Sequence, residues 1–252
     1  MSLHTSTDRV GRTRIRVSPG RNGERCRVRS AVSLSDPTAA NLRPIITGHD
    51  ERSATVSLVP EGALLLAGDG IELDVTVDSG VHLTLLEPGG TVAFNMRGGN
   101  ARWDVRIEVA DDAGLTWAGQ PFVVAQGAEV ERRTRIRAHR DARLALREVL
   151  VLGRHGERPG AIRQNTVVAD DRGLPLLVED LPLNEDSVAG LLGGNRAVVS
   201  VLSLGAAAVS GPTGPDRYDL HREGAVLWRR LGAQAHEAAL PAAWTHALTR
   251  AA

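Results

Sequence analysis

Hydrophobic and polar residues alternate with a period of two over long stretches of this chain. Ile71, Leu73, Val75 and Val77 interleave with Glu72, Asp74, Thr76 and Asp78. Trp103, Val105, Ile107 and Val109 interleave with Arg102, Asp104, Arg106 and Glu108. Successive strand residues point to opposite faces, so each pattern predicts a strand with one face in a core and the other toward solvent. Ala54, Val56 and Leu58 carry the same rhythm, as do Val81, Leu83 and Leu85. Val28–Leu34, Thr91–Met96, Ala128–Ala138, Leu144–Leu152, Ala161–Ala169 and Leu176–Leu181 are further strand segments. Leu115–Trp117 and Gln120–Val124 are predicted as two pieces parted by Ala118-Gly119, and Pro44 as a break. Turn residues recur at Ser79-Gly80, Asp111–Gly114, Asp141-Ala142 and Asp170–Gly173.

Helical signals arrive only late. Ser187–Leu192 predicts a short helix stopped by Gly193-Gly194, and His236–Leu248 a C-terminal one with Pro241 near its start. Val198–Ala208 is apolar on every side and fits either a strand or a buried helix. Short strands without intervening helices predict an all-β-dominated fold with about two helices near the C-terminal part, and argue against a βαβ nucleotide fold. Residues 1–27 lack a sustained apolar period. They are predicted as a flexible Arg-rich tail, leaving 28–252 as a single β-rich domain.

Composition narrows the functional classes. All thirty basic residues of the 252 are arginine, and they balance thirty acids. The charge is uneven: eight Arg lie in residues 1–30, seven in 131–147, and six acids in 170–186. Such a pattern suits solvated surface or docking to protein partners. No zinc-finger spacing or aromatic-basic repeat points to nucleic acid. No apolar run approaches the roughly 18 residues a membrane span needs, and no leader pattern opens the chain, so a cytoplasmic location is expected. Cys26 is a single thiol, which excludes a CxxC metal site. The eight histidines form no HxH or HExxH pattern, and there is no GxSxG. The GLLGGN run at Gly190–Asn195 lacks the Lys-Ser/Thr of a phosphate loop.

Several motifs are not demanded by periodicity: AGDG at Ala67–Gly70, EPGG at Glu87–Gly90 and LTWAGQP at Leu115–Pro121. GAEVERRTRIRA follows at 127–138, REVLVLGR at Arg147–Arg154, GERPGAIRQN at 156–165 and REGAVLWRRLG at 222–232. In this order and spacing they resemble the urease accessory protein family of the D (or H) subunit. The resemblance covers roughly residues 28–250. It implies a layered helical or sandwich-like arrangement of short strands with two helices. It implies a non-enzymatic scaffold that binds apo-urease, a helical accessory protein and a nickel-carrying GTPase accessory protein. It also implies transient passage of Ni(2+) toward the urease active site, with no tightly bound cofactor, and poor solubility without the helical partner. The family's Lys and aromatic-Arg positions after the first proline turn hold Ala93, Asn95 and Met96 here, and its later proline-glutamine pair is replaced by Gly119-Gln120. These departures bear on surface contacts near 91–96.

Four residues are candidates for structural, passage or partner-contact roles: Asp69, Glu87, Glu148 and Arg154. Asp69 and Glu87 each suit a turn by accepting backbone N–H bonds, or the lining of a passage. Glu148 interrupts an apolar strand, where a carboxylate needs a partner; Arg154 or Arg163 is expected to supply it. No catalytic residue is predicted. The competing readings are a β-rich binding module of another pathway and a β-fold metal-dependent enzyme. The region 218–250 is expected to join the contact with the helical partner. Leu144–Leu152 is expected to expose apolar surface.

Overall fold

The computed structural model describes residues 9–21, 23–62, 64–205 and 211–251. Its strands are β1 (Arg9–Ser18), β2 (Arg27–Leu34), β3 (Asn41–His49), β4 (Ser53–Glu61), β5 (Asp69–Val77), β6 (His82–Leu86), β7 (Thr91–Ala93) and β8 (Ala101–Val109). They continue with β9 (Gly114–Val124), β10 (Glu129–Ala138), β11 (Arg143–Leu152), β12 (Ala161–Ala169), β13 (Pro175–Leu183), β14 (Ala197–Leu204), β15 (Arg217–Asp219) and β16 (Val226–Gly232). Helix α1 spans Glu185–Leu192 and α2 spans Pro241–Ala251.

The strands form two facing sheets, and the chain winds from one to the other. Sheet A has the order β13-β12-β10-β8-β5-β1-β2; sheet B runs β15-β16-β14-β11-β9-β6-β4-β3, with β7 also on β9. From β5 to β12 the chain visits A, B, A, B in turn, so neighbours within a sheet run parallel. This is a β-solenoid, and it replaces the sandwich-like alternative. Period-two alternation gives each strand its inner face but not its neighbour. The signal that was present is the recurrence of turns roughly every 30 residues, a spacing typical of solenoid coils. Those turns stack: Gly80 N–H donates to Asp112 O at 3.1 Å, and Asp141 N–H to the Asp111 carboxylate at 3.1 Å.

Three further expectations are corrected. Residues 9–18 are no tail: β1 lies between β2 and β5, with Thr13, Ile15 and Val17 buried. Its outward arginines are held by carboxylates of β5 and its end, Arg12 by Glu72 at 2.6 Å and Arg16 by Asp78 at 3.0 Å. Residues 1–8 of the predicted tail lie outside the described residues. Pro44 does not break the chain, because β3 is the edge of sheet B, where a missing N–H donor is tolerated. Gly114–Val124 is one strand, with an irregularity at Gly119-Gln120 in place of a turn.

Helix α1 forms where residues supply its ends, and α2 where it has a face to bury. Asn184 caps α1 by accepting from Asp186 and Ser187 N–H, and Gly193 closes it at φ 56°. Ala243, Ala247 and Ala251 make a small-residue face on α2 that lies on the outside of sheet B. There it covers Ala145, Val199 and Val201. This explains the ambiguous run: all eight residues of β14 are buried, half by the other sheet and half under the α2 region. It also corrects Leu144–Leu152, where Leu144, Ala145, Leu146, Leu150 and Leu152 are buried.

Candidate functional site

The irregularity in β9 positions the most unusual chemistry of the molecule. Arg147 of β11 faces Ala118 and Val149 faces Pro121, so Gly119 and Gln120 together oppose Glu148. Such a bulge bends a strand and re-aims a side chain. A Cβ on Gly119 would sit 2.4 Å from the Arg147 carbonyl oxygen, so the close approach requires glycine. Glu148 turns into the space between the sheets and accepts from Arg132 Nη2 at 2.7 Å. Arg132 itself lies on the inward face of β10, donates to Gln164 Oε1 at 3.1 Å and sits 5.1 Å from the centre of the Phe122 ring. Neither Arg154 nor Arg163 is the partner. Those two pair with Glu157 and with Asp180.

Glu87 joins the same cluster. It follows β6 and accepts from Trp117 Nε1 at 2.7 Å and Gln120 N–H at 2.9 Å. Burial pushes its carboxyl above the ordinary value, against the pull of those two donors and of the Arg132 charge. Glu87, Glu148 and Arg132 line one cavity of about 20 Å³, enough for a single water-sized occupant. On the opposite side of sheet B a groove of about 420 Å³ shares Gly119, Gln120, Arg147 and Val149 with that cavity. The bulge lies between the two. Arg147 bars it, donating from Nε to Gly119 O at 3.3 Å with its guanidinium 5.3 Å from the Trp244 ring centre.

The polar interior continues along the coil axis. Glu148 is in register with Ser200 of β14, and Ser200 with Arg229 of β16. Arg229 donates to Ser200 Oγ at 2.9 Å and to Glu179 of β13 at 2.9 Å. Opposite them on sheet A stand buried Thr134, Gln164 and Thr166. Glu87, Arg132, Glu148, Gln164, Ser200, Arg229 and Glu179 thus form a polar row inside a largely apolar core. Of these, the sequence reading found Glu87 and Glu148. Arg132 and Gln164 share the inward parity of Val130 and Ile162, and a polar residue at an inward position was the available signal.

Asp69 and Arg154 stand apart from the row. Asp69 fixes a turn by accepting from Leu66 N–H at 2.7 Å, and it pairs with Arg9 at 2.7 Å. Arg154 is on an exposed loop, where it holds Glu157, whose carboxyl is pulled down to about 2. Ala93 and Met96 are buried, so these departures belong to core packing, while Asn95 is exposed. Cys26 is also buried and its thiol donates to Ser53 O at 3.1 Å, not the mobile thiol expected. His82 is half-buried with Nε2 3.1 Å from Thr116 Oγ1. Among the described residues, no three of His, Cys, Asp and Glu are grouped to hold a metal ion. No helix there is long and apolar enough to cross a membrane.

A family model described as UreD urease accessory protein matches residues 14–247. This chain belongs to that family. Urease accessory protein UreD 1 of Streptomyces griseus is 43% identical over 220 residues, covering 86% of this chain and 85% of the relative. Urease accessory protein UreD of Frankia alni is 39% identical, over 78% of this chain and 68% of that protein. A UreD of Parafrankia is 33% identical, over 76% and 75%. As a UreD family member the chain is a urease accessory protein, a maturation scaffold and not a catalyst.

Proposed function

We propose that this UreD family chain holds apo-urease together with a helical accessory protein and a GTPase in the cytoplasm, and that nickel, as cargo, moves along its interior polar row. The observation that carries the reading is the convergence of Glu87 and Glu148 on one cavity between the sheets. Carboxylates accept Ni(2+), and two of them with hydroxyl and amide oxygens beyond give weak, successive contacts in place of a trap. Arg132 and Arg229 hold the carboxylates until a divalent cation competes for them. The Gly119-Gln120 bulge lines both the inner cavity and the outer groove, which favours it as a mouth.

The test is urease activation in cells lacking this gene and carrying either the natural chain or a Glu87→Gln/Glu148→Gln variant, with nickel content of the purified urease read alongside. Loss of nickel and activity, with the variant present at normal levels and still bound to urease, is expected. Asp69→Asn and Arg154→Gln, outside the row, serve as comparisons; equal loss from them would remove the special role of the row.

The C-terminal region remains our candidate contact for the helical partner. Deleting 218–250 would also remove β16 and the α2 cover of sheet B, so exposed side chains are the better probe. Tyr218 is 52% exposed and Leu248 38%. Tyr218→Ser with Leu248→Ser is expected to reduce co-purification with that partner while leaving thermal stability unchanged. Undiminished co-purification refutes the contact.

A further inference from the structure

The outer face of sheet A carries a lattice of ion pairs, interrupted on β10. Arg14 faces Asp74 across the β1–β5 ladder, and the two lie 3.7 Å apart. Arg106 turns to the same Asp74 at 3.3 Å. Arg133 reaches Asp104 at 3.8 Å, and Arg163 reaches Asp180 at 2.6 Å. Between these pairs stand Arg135 and Arg137 of β10, both exposed and neither with an ion pair among the described residues. Arg135 is in direct register with Arg106, and like charges placed opposite each other on one sheet face repel. On its other side Arg135 faces Val167, which in turn faces Val178 of β13. Val178 is 64% exposed, and Leu174 just before β13 is 55% exposed. Arg106, Arg135, Arg137 and Val167, with Asp74 and Glu108 among them, line a surface groove of about 360 Å³.

We propose that this groove is the docking site for an acidic segment of a partner protein. Its carboxylates meet Arg135 and Arg137, and an apolar side chain covers Val178. The argument is charge complementarity: Arg106 is met by Asp74 and Arg137 stands opposite Glu108, whereas Arg135 is set against Arg106 with no carboxylate of its own and is open to an incoming one. A protein segment fits better than nucleic acid. Asp74, Glu108 and Asp180 are interleaved around the arginines and would repel a continuous phosphate backbone, whereas spaced carboxylates fall between them. The apolar neighbour also needs a side chain to cover it. This surface lies outside the interior row and stands whether or not nickel travels there.

The test is fluorescence anisotropy of the full chain with a dye-labelled Glu-Leu-Glu-Asp-Leu-Glu peptide. Its Gln/Asn counterpart and an oligothymidylate of equal charge serve as alternatives. The acidic peptide is expected to bind more tightly than both, with affinity falling as salt rises. Arg135→Glu with Arg137→Glu should weaken it at least about tenfold, while Arg21→Glu with Arg25→Glu leaves it unchanged. Absence of binding, equal loss in both variants, or tighter binding of the oligothymidylate overturns the proposal. Arg135→Gln separates binding from folding: the melting temperature should stay or rise, because the repulsion with Arg106 is removed, while peptide binding falls. A lowered melting temperature accompanying the lost binding would mean that Arg135 holds the fold, and would also overturn it.

Discussion

Two sets of arginine–carboxylate pairs occupy the two faces of sheet A, and they do opposite things. On the outer face Arg14–Asp74, Arg16–Asp78 and Arg163–Asp180 link neighbouring strands in contact with water. On the inner side Arg132–Glu148 and Arg229–Glu179 bridge across the core, with side chains 10%, 14%, 19% and 13% exposed. Water screens the first set, so each pair contributes little and mainly biases register. The second set has lost most of its hydration, so neither partner tolerates the absence of the other. The chemistry is identical; solvent access decides which pairs are ornaments of the fold and which are constraints on it.

Breaking the inner set should have the largest effect. Glu148→Ala leaves Arg132 charged and enclosed, and a loss of about 3–5 kcal/mol is expected in urea unfolding. Replacing both, Arg132→Met with Glu148→Leu, should restore most of that stability while nickel delivery to urease stays impaired. Full delivery by this stable double variant would confine the inner pair to packing.

Next in size is the bulge that aims Glu148. Gly119→Ala forces the Arg147 carbonyl away and is expected to cost about 1–3 kcal/mol by overpacking. The check is the melting temperature, together with loss of the Arg132–Glu148 contact in a structure of the variant.

Glu87 sharpens the comparison through pH. Its folded carboxyl titrates above the ordinary 4.5, so the native state holds this proton more firmly than the unfolded chain. Its contribution is therefore fully present at low pH and fades as pH rises from 4.5 through the raised folded value. Glu87→Gln cannot ionise and should flatten that part of the stability–pH curve, although it forfeits the bond from Gln120 N–H. An unchanged slope would show that Glu87 is solvated.

The outer set should respond least. Arg163→Ala is expected to change the melting temperature slightly at low salt and not at all in half-molar salt. Glu157 gives a direct reading of a solvated pair: its carboxyl should titrate near 2 by NMR and return toward 4.5 in Arg154→Gln. Because its folded value is depressed, any stability from this pair is present above 4.5 and lost as pH falls toward 2.

The same contrast explains what the sequence disclosed. Strands β5 and β8 were legible because their inward positions are uniformly apolar. Strand β1 has the same alternation, with Thr13, Ile15 and Val17 inside, but Arg12, Arg14 and Arg16 gave it the look of a charged tail. The carboxylates that neutralise them lie some 60 residues away, on β5 and at its end. Glu148 was visible as an acid in an apolar run, yet its partner was not. Arg132 is adjacent only once the chain has wound from sheet A to sheet B, a relation no local spacing encodes. Parallel pairing was hidden for the same reason, since an alternating strand fits a parallel or an antiparallel neighbour equally well.

The end strands have a consequence for how the molecule stays finite. A stack of parallel rungs is the geometry from which fibres are drawn, and nothing in the repeating unit says where to stop. Here β2 and β13 run against the grain at the two edges of sheet A, as β3 does at one edge of sheet B. Pro44, Pro175 and Pro182 remove hydrogen-bond donors from those margins. A second molecule arriving end-on would meet strands of the wrong polarity and gaps in the ladder. The protein thus terminates its own polymerisation within a few coils.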